Sequence, residues 1–549
     1  MMTNAIIRSH SELGVAVRPT AITDILAAHA ATRPEEIFVY DPLGKYDSLT
    51  YAETWRQAWV WFARLKSAGV RRGDVVHLAL ANGTDFVGAF FGALLLGALA
   101  APMPPRRGAT AEDFTRTIQE RRLANHKNFF VALGVELADL QWVEDIAVAA
   151  EQPALAAVPS PLTWHSDLDT ETIAVLQFTS GTTGRQKVVC LSHRALLWQM
   201  QAITHALELD PERDHAVSWL PLYHDMGLIG FLLTPLFIGS RTGLIPTETF
   251  LGDPWCWLES ISQCKATITA APPSAWFLVG RLANPRRAER ISLASLRVAF
   301  VGAESIFPET MRAIIQRLGA AGLSTLAWTP AYGMAEVGLA VTITKLGQGV
   351  RMVECAGSTY VACGSLVADQ ELRIANESGD SLPELVLGRV YVRSPSLMSG
   401  YFDDPKATKK VVHDAWYDTK DYGFLHDRQI YIVGRDDDVI NIGGQKYGPV
   451  LFEQLVNELP EFSSARTAAF AAPDPKTGTI RAMLLVELRR NGSEQDYAAI
   501  RMAAERRKLP LGPVIFVSPG QISITRNGKI SRAKTRERFL AGEIPHVWS

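Results

Sequence analysis

Short, largely apolar runs recur along the chain: DVVHLAL at 74–80, TIAVLQF at 172–178, ATITAAP at 266–272 and LRVAFVG at 296–302. Strands of this kind are buried on both faces, so a sheet built from them needs helices on both sides. The intervening stretches supply those helices. ITDILAAHAATRP at 22–34 reads as an amphipathic helix, and TYAETWRQAWVWFARLKSAGV at 50–70 repeats apolar residues at helical spacing, with Gly69 as its stop. Further helices are predicted near 193–207, 228–238, 254–264, 274–283 and 308–319, and further strands at FVYD, HAVSWLP, RTGLIP and the segment before Tyr332. Strands alternating with helices predict an α/β fold with mostly parallel, helix-covered sheets.

The texture changes over 360–433, where ELRIAN, GRVYVRS, GYF and QIYIVG are short strands punctuated by Gly388, Gly400 and Gly434, the pattern of a β-rich subdomain. A polar run, RDDDVINIGGQKYGP, follows at 435–449. Beyond it come a helix near 450–459, strands at SARTAAFAAP and AMLLVELRR, a helix near 495–508 and a strand at PVIFVSP, a compact α+β pattern. With 549 residues the chain exceeds what one core organises, so two domains are expected: 1–435, including the β-rich subdomain, and a small one, 436–549.

Formal net charge is −2, from 55 basic and 57 acidic residues, which leaves no electrostatic footprint for nucleic acid. An anionic ligand must therefore be held by a local site. Cys190, Cys256, Cys264, Cys355 and Cys363 show no C-x-x-C spacing and read as structural free thiols in a reducing, cytoplasmic setting. MMTNAIIRSHSELGVAV has no continuous apolar core of the kind a secretory leader needs. The 16-residue apolar run Phe86 to Ala101 is shorter than the roughly 20 residues a membrane span requires, so no stable membrane insertion is expected. It reads as a buried core helix with small residues on its face for tight packing.

The stretch QFTSGTTGRQKVV, 177–189, places Thr179, Ser180, Gly181, Thr182, Thr183 and Gly184 before Lys187, a composition suited to wrapping a polyphosphate with backbone amides and hydroxyls. Its flanks, AVLQF and KVVCLS, both read as strands, so this is a strand–loop–strand hairpin and not the strand–loop–helix unit of Walker-type NTPases. Taken alone, the loop is a moderately specific signal, since a solvent-exposed hairpin can share its composition.

Four later stretches keep it company. TPAYGMAE at 329–336 sets an aromatic ring, a turn glycine and a carboxylate within a few residues, and YDTKDYGF at 417–424 offers Asp421 beside a strand end. VGRDDDVINIGGQKYGP starts at Val433, and ITRNGKISR occupies 524–532. In order and spacing, these five motifs resemble those of the adenylate-forming (ANL) superfamily: acyl-CoA synthetases, fatty acyl-AMP ligases and nonribosomal adenylation domains. The resemblance spans about residues 20 to 536. LPLYHDMGLIGFLLTPLFIGS at 220–240 is most similar to fatty acyl-AMP ligases and their acyl-CoA ligase relatives, and FVGAES at 300–305 to the family's motif near adenine and the acyl carboxylate.

The resemblance implies ATP-dependent activation of a hydrophobic carboxylic acid to acyl-AMP with loss of pyrophosphate. Transfer to the pantetheine thiol of CoA or of a carrier protein would follow. It implies that 179–187 cradles the β- and γ-phosphates and that Glu336, with Thr179, holds Mg²⁺. Tyr332 would stack on adenine, with Gly302, Ala303, Glu304, Ser305, Gly333, Met334 and Ala335 around the nucleotide. Asp421 would accept the ribose hydroxyls and Arg435 would donate to the same sugar. Lys529 would bridge the substrate carboxylate and the α-phosphate. The small C-terminal domain would be mobile, with Asp437 as hinge, Gly443 and Gly444 lining the thiol approach and Lys446 reaching toward phosphate. His224 would sit between acyl pocket and nucleotide in a catalytic or gating role, and Met226, Gly227, Trp276, Phe277 and Gly302 would line the acyl pocket.

Fatty acyl-AMP ligases usually carry an extra segment after the YGMAE motif that impedes domain rotation. About 27 residues separate Glu336 from Gly364 here, too few for the full insertion, which keeps CoA transfer open. Arg185 and Gln186 also depart from the family's loop pattern. The alternatives are a ligase that stops at acyl-adenylate for a separate partner, a catalytically silent nucleotide-binding homologue, and a kinase that would release ADP.

Overall fold

The computed structural model describes residues 19–105, 127–131, 143–145, 158–179, 187–282, 285–355, 358–436, 438–442, 445–457, 459–462, 465–474, 479–524 and 530–545. It is the α/β architecture that the apolar runs predict. A nine-stranded sheet has the spatial order 365–366, 340–343, 328–333, 298–301, 268–271, 216–218, 242–244, 37–40, 49–50. Its central strands are parallel, in registers such as Ala270 with Phe300 and Val301 with Pro330. The carboxyl ends of these strands therefore lie along one edge, and Pro272, Gly302 and Tyr332 emerge there. That edge of an open α/β sheet is where ligands bind.

A seven-stranded sheet orders 400–401, 188–192, 173–178, 99–102, 75–78, 128–131 and 143–145. Between the two large sheets, helices Tyr51–Ser67 and Thr84–Leu95 pack closely, because a Cβ on Gly88 or Gly92 would come within 2.6 Å of the Trp61 side chain. The apolar run at 86–101 is thus a tightly packed core helix, but only as far as Leu95. Gly97, at φ +67°, turns the chain, and Leu99–Pro102 is a strand buried at every position. No helix among the described residues is long and apolar enough to cross a membrane, and all five cysteines are free thiols.

The β-rich region is an antiparallel sheet of 371–375, 388–393, 412–413, 416–426 and 429–435. GYF does not join it: Gly400 and Tyr401 pair with Cys190 and Val189 of the other sheet. Beyond it, strands 466–473, 480–487 and 511–517 carry helices Pro449–Asn457, Glu494–Arg506 and Arg532–Leu540. The segment at 228–238 is not one uniform helix, because Met226–Leu233 is a π-helix and only Thr234–Ile238 is α. Such wide turns are rare and concentrate at functional sites.

Candidate active site

The hairpin reading of the phosphate loop holds at its described ends. Strands Ile173–Phe178 and Val188–Ser192 pair antiparallel, and the Thr179 amide donates to the Lys187 carbonyl at 3.0 Å. Thr179 and Lys187 both line a cleft of about 1220 Å³ that opens along the carboxyl edge of the large sheet. Ser180, Gly181, Thr182, Thr183 and Gly184 lie outside the described residues.

Opposite them, the chain turns sharply after Tyr332. A Cβ on Gly333 would lie 1.8 Å from the Leu339 carbonyl oxygen, so only glycine fits, and the Met334 amide donates back to that carbonyl at 2.8 Å. This turn presents Tyr332, Gly333, Met334, Ala335 and Glu336 to the cleft. The Tyr332 hydroxyl donates to Asp421 Oδ2 at 2.6 Å. Asp421 does not sit at a strand end as expected. It lies within the eleven-residue strand Trp416–His426, directly across from Arg435, whose Nε is 3.3 Å from Asp421 Oδ1. Burial pushes the Asp421 carboxyl above its usual range, and the Arg435 guanidinium and the Tyr332 hydrogen bond offset only part of that. An aromatic ring, a carboxylate and a guanidinium thus share one wall of the cleft.

Glu336 accepts a 2.9 Å hydrogen bond from the Tyr401 hydroxyl. Its carboxylate and the Thr179 hydroxyl are hard oxygen donors on the same cleft, the donor type and small number of protein ligands that Mg²⁺ takes. Gly302, Ala303, Glu304 and Ser305 form the floor, with Ala303 held at φ +64° and Glu304 accepting from the Ser274 amide and hydroxyl at 3.2 and 3.0 Å. A non-glycine residue in that conformation is strained, and such strain concentrates at functional positions.

The acyl-pocket expectations divide. His224 lines the cleft with Nδ1 2.6 Å from Asp225 Oδ1, and Met226 and Phe277 line it too. Trp276 does not. It is fully buried between Trp257 and Trp328 and donates its indole N–H to the Phe300 carbonyl at 2.9 Å. Gly227 also faces away, its Cα so close to Pro221 that a Cβ would sit 2.2 Å from that carbonyl oxygen. Met226, Gly230, Thr234 and Ile238 instead form one stripe that lines the cleft together with Ala216 and Ile268 of the sheet, as a largely apolar channel whose lining also includes Asp214, His215 and Ser240. At about 1.5 Å per residue the stripe runs roughly 18 Å, somewhat less where the helix is π. The fourfold spacing of this stripe was readable in the sequence, but its direction was not.

The C-terminal segment closes one side through Pro449, Val450, Arg466, Ile530 and Arg532. Arg532 is clamped by both Glu453 carboxylate oxygens at 2.7 Å and reaches Asp438 Oδ2 at 3.4 Å, tying the end of the ITRNGKISR motif to the polar turn after Arg435. Neither this clamp nor Tyr401 was singled out in the sequence. Asp437, Gly443, Gly444 and Lys529, and the side chain of Lys446, lie outside the described residues.

The sequence profile of the AMP-binding enzyme family matches residues 26–402. A putative acyl-CoA synthetase of Caulobacter vibrioides is 33% identical over 546 residues, covering 93% of this chain and 94% of the relative. A long-chain-fatty-acid–AMP ligase of Mycobacterium tuberculosis, FadD26, is 28% identical, covering 91% of this chain and 92% of its own. Among solved structures, a fatty acyl-adenylate ligase from a study of the E. coli and L. pneumophila enzymes superposes with a TM-score of 0.81 at 27% identity, covering 96% of this chain and 99% of that one. A fatty acyl-adenylate ligase from L. pneumophila in complex with acyl adenylate and pyrophosphate gives 0.71 at 25% identity, covering 96% and 97%.

Proposed function

The chain belongs to the AMP-binding enzyme family of acyl-adenylate-forming ligases, and from that premise we propose that it activates a fatty acid as acyl-AMP and passes the acyl group to a pantetheine thiol. One observation carries the reading: Tyr332, Asp421, Arg435 and Glu336 converge on a cleft that continues into an apolar channel. Gly302 lines the cleft, and a nucleotide site and a hydrocarbon site would meet there.

Activation requires a carboxylate oxygen to attack the α-phosphorus of ATP while pyrophosphate leaves in line. The protein's share of this is positioning and charge stabilisation. Tyr332 and the floor at 302–305 would take the adenine, and Asp421 and Arg435 the ribose. Thr179 to Lys187 would hold the departing pyrophosphate. Glu336, with Thr179, would hold Mg²⁺, which when bound supplies charge neutralisation on the triphosphate. Lys529 would offset the charge that gathers as the five-coordinate phosphorus forms. His224, oriented by Asp225, would line the junction of channel and nucleotide. We place the mobile domain at 436–549, with Asp437 as hinge, Gly443 and Gly444 on the thiol path and Lys446 directed at phosphate. The acceptor is CoA or a carrier-protein phosphopantetheine, in the cytoplasm.

Acid-dependent exchange of labelled pyrophosphate into ATP tests the reading, and its absence across fatty acids of every length would sink it. Channel length can be read in the same assay. A Cβ on Gly230 would meet only Leu339 Cδ2, at 3.4 Å, so the space beyond is channel. Gly230→Trp should cut exchange with a 14-carbon acid by about tenfold or more while a 6-carbon acid stays within about threefold, since filling a hydrophobic pocket discriminates at one to two decades. Equal losses for both acids would remove the channel from substrate binding.

A ligase that stops at acyl-adenylate is the second reading. It is favoured by Tyr360, on the hairpin of strands Met352–Cys355 and Ser358–Val361, which packs against the C-terminal core and would resist rotation. Supplying CoA to preformed acyl-AMP decides between them: thioester supports the first reading and its absence the second.

A further inference from the structure

Tyr401 touches both charged groups that flank the expected triphosphate. The Lys187 ammonium lies 4.6 Å from the centroid of its ring, and its hydroxyl donates to Glu336 Oε1 at 2.9 Å, with the Tyr417 hydroxyl 3.4 Å away. Tyr401 is 5% exposed, and its segment is held by backbone bonds on both sides. Gly400 and Tyr401 pair with the strand that follows Lys187, the Phe402 amide donates to the Val188 carbonyl at 2.8 Å, and the Met398 amide donates to the Glu336 carbonyl at 2.8 Å. The segment 398–402 therefore joins the hairpin that bears the lysine to the turn that bears the carboxylate.

Lys187, which is exposed, and Glu336, which is half-buried, line the same cleft and carry opposite charges that attract each other. Among the described residues no ion pair joins Lys187 to Glu336; each is engaged by Tyr401 instead. The aromatic face offers the ammonium an electrostatic seat weaker than a phosphate, and the phenol offers the carboxylate a hydrogen bond without charge. We propose that Tyr401 is a positioning residue that keeps Lys187 and Glu336 apart, so that the phosphate site stays open for ATP. The inference rests on the reading of the cleft as an ATP site.

Calorimetric ATP binding, with EDTA and with Mg²⁺, tests this without reference to turnover. Tyr401→Phe keeps the ring and loses only the hydroxyl. It should leave metal-free ATP affinity within about twofold, yet raise about tenfold the Mg²⁺ concentration needed for half-maximal enhancement of binding, the scale of one hydrogen bond to a charged group. Tyr401→Leu loses both contacts, letting lysine and glutamate pair, and should weaken metal-free ATP binding about tenfold. Adding Glu336→Gln to it should bring that affinity back to within about threefold of wild type, because the carboxylate that captures Lys187 is then neutral. A merely structural tyrosine would give no such rescue. Unchanged Mg²⁺ dependence in Tyr401→Phe, or a double variant as weak as Tyr401→Leu, would overturn the proposal. If the Leu variant fails to fold, the Phe variant decides alone. A wild-type protein that binds no ATP overturns the nucleotide reading, and this inference with it.

Discussion

Lys529→Ala should lower acid-dependent pyrophosphate exchange by about 10²- to 10³-fold while leaving the ATP dissociation constant within about threefold of wild type, because the lost cation acts mainly on charge that develops in the transition state. The described residues near it fit such a role. Ile524 and Ile530 form an antiparallel bridge, Ile530 lines the cleft, and Arg532 is fixed by Glu453 and Asp438. The expected signature is a fall in kcat with little change in KM for ATP. Near-normal exchange in the variant would take Lys529 out of the chemistry. A parallel loss of ATP affinity would make it a binding residue instead.

Asp421→Ala should weaken ATP binding by about 10²-fold, the scale of two charge-assisted hydrogen bonds partly replaced by water. The fold should survive it. Arg435, its cross-strand partner, is 48% exposed and can turn to solvent, and the burial that raises the Asp421 carboxyl shows that this charge is held at a cost. The diagnostic readout is sugar discrimination. Wild type should prefer ATP to a 2′-deoxy analogue by about tenfold, one lost hydroxyl contact to a carboxylate, and the variant should prefer neither. A variant that still discriminated would place the ribose elsewhere in the cleft.

These expectations were unevenly legible in the sequence, for physical reasons. The hairpin of strands 173–178 and 188–192 was legible because AVLQF and KVVCLS are short apolar runs on either side of a glycine-containing loop, the pattern of paired neighbouring strands. The pairing of Asp421 with Arg435 was hidden, because it depends on a register with a bulge at Tyr422 and Gly423. The apolar run at 86–101 read as one helix, since an all-buried helix and an all-buried strand look alike; only the left-handed turn at Gly97 divides them. Trp276 and Phe277 are adjacent aromatic residues on one helix, about 100° apart around its axis, and only the partner surfaces decide which meets the cleft. Tyr401 had no local signature at all. Its two-residue strand pairs with Val189, some two hundred residues away, and its role exists only once that pairing forms.

Adenylation itself is tested most directly by following the carboxylate oxygen. Incubating the enzyme with ATP and a fatty acid labelled with ¹⁸O in its carboxylate, then releasing the acyl group to a thiol or hydroxylamine, should leave one labelled oxygen in AMP, with pyrophosphate as co-product. Attack of that oxygen on the α-phosphorus leads to no other distribution. Label in inorganic phosphate together with ADP, or unlabelled AMP, would contradict the account.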